Sequence, residues 1–142
     1  MKKLFIILLS AATLAVNAQT VVTYAGKSNN DPYTNYESGQ GAALDNTFFS
    51  LPRGICFDNN GKMYISEVNK VRAVINNKLY IRAGSLQQPS FSEGYKNGTG
   101  TQATFRNPEG MVASSNGDIY VADVDNHCIR KISAYAMLGT GQ

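Results

Sequence analysis

The feature that most limits what this chain can fold into is an internal repeat. Residues 51–68 align without a gap on residues 107–124, each position recurring 56 residues later: Pro52 on Pro108, Gly54 on Gly110, Asn60-Gly61 on Asn116-Gly117, Tyr64 on Tyr120. Farther along, Val71-Arg72 recurs as Ile129-Arg130, and Ala25-Gly26 recurs as Ala83-Gly84, both at an offset of 58. Length changes therefore fall between the matched segments, as expected when each copy is one supersecondary unit and the insertions lie in loops.

The local chemistry of each copy predicts a four-stranded antiparallel meander, with strands named a to d in chain order. Asn60-Gly61 and Asn116-Gly117 each separate two short β-prone runs. Asn-Gly tolerates the two positive φ angles of a type I′ hairpin, so each pair is expected to be a two-residue turn. Pro52 and Pro108 stand just ahead of a strand, where a missing N–H does no harm. The expected strands cover residues 54–57, 62–66, 71–75 and 78–82, then 110–113, 118–122 and 128–132, with no helix after residue 18.

The second copy carries a family resemblance. Its segments Phe105-Arg106-Asn107-Pro108-Glu109-Gly110-Met111, Gly117-Asp118-Ile119-Tyr120-Val121-Ala122-Asp123 and Asn126-His127-Cys128-Ile129-Arg130-Lys131-Ile132 resemble the NHL repeat at nearly every position. The first copy is a looser version, with Ser66-Glu67 in place of the usual Ala-Asp. The resemblance implies an all-β fold made of β-propeller blades. Blade one is expected at about residues 49–84, blade two at about 105–142, and an orphan outer strand at 20–26. Two blades form an incomplete propeller, since closed rings use about four to eight. Further blades, or a homo-oligomer, would be needed to close it.

The first 18 residues have the form of a signal peptide: Lys2-Lys3, an apolar run from Leu4 to Leu9, and small residues ending at Ala18. Cleavage after Ala18 would leave residues 19–142 as a secreted or periplasmic chain with no membrane insertion. The whole chain has 13 basic and 10 acidic residues; setting aside Lys2 and Lys3 leaves 11 against 10. That near balance, with no basic run, argues against a nucleic-acid partner. Export permits a bridge between Cys56 and Cys128. Their inequivalent places in the two repeats favour buried free thiols instead, and the pairing stays open at this stage.

Propeller geometry gathers the variable polar residues at one end. Strand a is innermost in a blade, so Arg53 and Glu109, just ahead of it, are expected at the mouth of the central channel. The turn between strands b and c returns to the same end, bringing Glu67, Asp123, Asp125, Asn126 and His127. The long connections at about residues 27–50 and 85–106 open there too, carrying Tyr33, Tyr36, Phe91 and Tyr95. Loops on a rigid scaffold commonly carry recognition, and exposed aromatics suit sugars and protein pockets. The candidate ligand-binding set is therefore Arg53, Glu109, Asp123, Asp125, Asn126, Tyr33, Tyr36 and Tyr95. The competing structural roles are that the aromatics pin their loops to the blade and that Asp123 satisfies nearby N–H groups.

No catalytic or metal site and no cofactor is assigned. One histidine cannot supply a three-nitrogen zinc site. Residues 123–126 lack the glycine and the distal acid of a calcium loop, and neighbouring His127 and Cys128 would point to opposite faces of a strand. The expectation is an exported, non-enzymatic interaction module for a protein or glycan. The resemblance also admits an alternative: part of a six-bladed propeller enzyme of lyase or lactonase type, with its catalytic residues mostly outside this chain.

Overall fold

The structure, a computed structural model, describes residues 19–27, 41–85 and 94–134. Its strands are β1 (Ala42–Ala43), β2 (Gly54–Phe57), β3 (Met63–Glu67), β4 (Lys70–Ile75), β5 (Lys78–Gly84), β6 (Pro108–Ala113), β7 (Ile119–Asp123) and β8 (Cys128–Ile132). They form two antiparallel sheets, ordered β1-β5-β4-β3-β2 and β6-β7-β8. These are the two expected blades, and the all-β propeller-blade class holds. The expected positions of β2 and β8 match residue for residue; the other strands shift or lengthen by one or two residues. Among the described residues helix is limited to single 3-10 turns at Leu44–Asn46, Gly100–Gln102 and Val124–Asn126, a small departure from the expectation of none.

Two further differences have physical reasons. First, blade one has five strands rather than four, because Ala42 and Ala43 pair with Leu79 and Lys78 along its outer edge. Second, the Asn-Gly turns are not type I′. Only their glycines have positive φ, 73° at Gly61 and 85° at Gly117. Gly61 N–H donates to the Asp58 carbonyl (2.9 Å) and Asp58 N–H to that of Lys62 (3.0 Å), giving a three-residue loop with a left-handed glycine. The Asp58 carboxylate stabilises this form by accepting the Asn60 and Lys62 amides, both at 2.9 Å. The two-residue turn with two positive φ angles is Asn76-Asn77 (50° and 57°), between β4 and β5.

Strand alternation sends every second side chain into the seam between blades. Blade one contributes Tyr64, Val71, Ala73 and Ala83, with Cys56 at the margin; blade two contributes Phe105, Ile119, Val121 and Ile132, with Met111 and Ala113. Burying each large apolar side chain contributes about 1.5–3 kcal/mol. This seam is the hydrophobic core of the described chain.

The segment expected as an orphan outer strand, residues 20–26, makes no strand pairs within the described residues. Its end is anchored by the Gly26 and Lys27 amides, which donate to the carbonyls of Leu44 (2.9 Å) and Thr47 (2.7 Å). Val21 and Val22 stand in solvent. Residues 1–18, read above as a signal peptide, and residues 135–142, the end of expected blade two, lie outside the described residues.

Candidate functional site

The loop-bearing end is built around one polar unit that occurs in both blades. In blade one, Arg72 Nε lies 2.8 Å from Glu67 Oε1, both side chains almost wholly buried. The guanidinium stacks 5.7 Å from the Phe49 ring centre, and its Nη1 donates to the Phe48 carbonyl at 3.2 Å. The Ser50 amide donates to Glu67 Oε2 at 3.1 Å. Blade two repeats each contact at the matching position. Arg130 Nη1 lies 2.9 Å from Asp123 Oδ2 and 3.0 Å from the Thr104 carbonyl, and the guanidinium stacks 5.0 Å from Phe105. The Arg106 amide donates to Asp123 Oδ1 at 2.8 Å.

The purpose of this unit follows from its partners. An acid at the end of strand b and an arginine in strand c together hold the chain that leads into strand a. Burial pushes the Glu67 carboxyl above the usual carboxylate range, with Arg72 opposing, and burial also lowers Arg72. Such a buried pair fixes geometry more than it adds net stability.

Several of the expected ligand-binding residues are consumed by this fastening. Asp123 is fully buried and satisfied by Arg106, Asn126 and Arg130, so it is not on the accessible surface. Asn126 Nδ2 donates to Asp123 Oδ2 (2.8 Å) and to the Gly94 carbonyl (2.9 Å), tying the b–c turn to the long loop. Tyr95 is exposed, but one face of its ring lies 5.2 Å from the Arg130 guanidinium carbon. Arg130 Nη2 also reaches the Lys96 carbonyl and Asn97 Oδ1, both at 2.9 Å. The pinning role therefore accounts for Tyr95. Tyr33, Tyr36 and Phe91 lie outside the described residues.

Arg53, Glu109 and Asp125 remain at the surface. Arg53 Nη1 and Glu109 Oε1 form an ion pair at 2.8 Å, with side chains 37% and 42% exposed. They occupy the same position in consecutive blades, 56 residues apart. Asp125 belongs to the same end, because its amide donates to the Arg106 carbonyl at 3.2 Å. His127 is exposed and takes a left-handed conformation with φ 53°. Among the described residues, no three His, Cys, Asp or Glu side chains gather closely enough to hold a metal ion.

Both cysteines are free. Burial, followed by the nearby Asp58 charge, raises the Cys56 thiol above its usual value. That disfavours the nucleophilic thiolate.

Sequence reasoning overlooked the two arginines that organise this end. A signal for them was present: Arg72 and Arg130 occupy matching repeat positions, and each follows the terminal acid of strand b by a few residues. What the sequence does not reveal is that these charges turn inward.

The family model for the NHL repeat matches residues 105–132, which are blade two through the end of β8. No curated protein matches the chain. Among 38 matching chains of solved structures is the crystal structure of a structural-genomics protein of unknown function from Bacteroides thetaiotaomicron VPI-5482. It superposes with a TM-score of 0.56 at 25% identity over 65% of this chain. The match covers 23% of that protein, so the present chain spans about a quarter of its length. Among the described residues no helix is long and apolar enough to cross a membrane.

Proposed function

We propose that this NHL-repeat chain is an exported, non-enzymatic interaction module that holds a protein, or a glycan, at the loop-bearing end of its blades. The observation carrying this reading is the division of labour at that end. Glu67, Arg72, Asp123, Asn126 and Arg130 face inward and lock the loops, whereas Arg53, Glu109 and Asp125 are presented outward on the scaffold they create. A fixed array of opposite charges favours a partner with complementary polar groups, since little ordering remains to be done on binding. The leader at residues 1–18 supports an extracytoplasmic site of action.

The test uses residues 19–142 against arrays of purified exported proteins from the source cell and of purified polysaccharides. Saturable binding that is lost in the combined variant Arg53→Ala, Glu109→Ala, Asp125→Ala, with the circular dichroism spectrum and melting temperature retained, is expected. Binding unaffected by the triple change would remove this surface from consideration.

A further inference from the structure

The two outward faces of the blade pair are chemically the two halves of the seam already present inside it. The leading face, on blade one, exposes Ile55 and Phe57 next to half-buried Met63. Their repeat counterparts Met111, Ala113 and Ile119 are what blade two turns toward blade one. The trailing face, on blade two, exposes Val112, Tyr120 and Ile129. Their counterparts Cys56, Tyr64 and Val71 are what blade one turns toward blade two. The same place thus holds Val71 at 0% exposure inside the seam and Ile129 at 69% outside it.

We propose that the chain assembles head to tail, the trailing face of one copy seating on the leading face of a second copy. Three observations identify that occupant. A cavity of about 430 Å³ on the leading face is lined by Tyr24, Phe49, Ile55, Met63 and Ile65. Met63 and Ile65 are the repeat counterparts of Ile119 and Val121, which share the internal core with Tyr64, so the cavity is placed to receive Tyr120 of the next copy. Charge is complementary as well. Arg53 and Glu109 pair across the internal seam, and stacking copies places Glu109 of one beside Arg53 of the next, so the charges alternate from blade to blade. Finally, a β-carbon on Gly54 would collide with the Glu109 carbonyl across the internal seam, whereas one on Gly110, its counterpart, would meet nothing. Gly110 therefore keeps open the close approach that Gly54 uses.

Association of unlike faces closes into a ring if the rotation allows, and rings of about four to eight blades correspond to two to four copies. This assembly does not depend on what the loop-bearing end binds.

The experiment is sedimentation of residues 19–142, at tens of micromolar, alongside two blocking variants. Gly110→Ala obstructs only the trailing face, and Phe57→Glu only the leading face. The unaltered chain is expected as a discrete species of at least twice the monomer mass, each variant alone as a monomer, and their mixture as a one-to-one dimer joined through the single unblocked pair of faces. Should either variant lose its β-sheet spectrum, Val112→Lys replaces the first and Ile55→Lys the second, with the same expectations. A monomeric unaltered chain, an assembly persisting in a variant alone, or aggregation without defined stoichiometry would each overturn the proposal.

Discussion

Ser66 and Glu109 meet across the seam between the blades: the buried Ser66 hydroxyl donates to the Glu109 carbonyl at 2.7 Å and accepts the Gly54 amide at 2.8 Å. One side chain thus satisfies a backbone acceptor in one blade and a backbone donor in the other. Ser66→Ala should cost about 1–3 kcal/mol, the range for leaving a buried polar group unsatisfied. Gly54→Ala acts at the same point by steric clash with that carbonyl, and should cost a similar amount through overpacking. Chemical denaturation of both variants tests this; a change under about 0.5 kcal/mol in each would mean the seam can relax there.

The Arg130 guanidinium joins strand c, the acid of strand b, the 94–106 loop and two aromatic rings. Removing it as Arg130→Ala leaves Asp123 buried and unpaired, which should cost about 3–5 kcal/mol. Arg130→Lys keeps the charge but loses the planar fork, so only part of this should return. Hydrogen exchange should show the residues around Lys96 and Thr104 opening first in the lysine variant. Unchanged protection there would separate loop order from the arginine.

Two carboxyl groups should shape the acid limb of the stability curve with opposite signs. Glu67 is raised above 4.5, chiefly by burial, so the folded chain holds its proton more tightly than the unfolded one. Its contribution is full below about 4.5 and is lost as pH rises through the folded value. Asp118 is lowered below 3.8, foremost by the Ala134 amide donating to it at 2.8 Å. Its contribution is present above about 3.8 and is lost as pH falls through the folded value. Glu67→Gln should therefore remove a decline with rising pH, and Asp118→Asn a decline with falling pH, in denaturation series between about pH 3 and 7. Identical pH profiles for the two variants would contradict the assignment.

Cys56 and Cys128 are unpaired. Residues 19–142, unfolded without reductant and treated with iodoacetamide, should gain two adducts by mass spectrometry. In the folded chain at neutral pH, Cys56 should react slowly, because its thiol is raised by burial. A mass two protons lower with no adduct would establish a bridge instead.

What the sequence determined by itself was the repeat and, through it, the strands. Periodic apolar residues, the proline just before β2 and at the first residue of β6, and the turn glycines are local signals, and local preference agrees here with the final fold. It also placed Arg53 and Glu109 at one end, because identical positions in stacked units share an edge. The direction in which charged groups face is not a local property. Glu67 and Asp123 read as surface acids until Arg72 and Arg130 arrive from strand c, and only packed blades create the enclosure in which those pairs form. The turn type, by contrast, is set locally: Asp58 captures two amides of its own loop, and the two-residue turn with two positive φ angles falls at Asn76-Asn77. Tertiary structure alone distinguishes Gly54 from Gly110, residues identical in kind and repeat position, because one lies against a neighbouring carbonyl and the other faces open space.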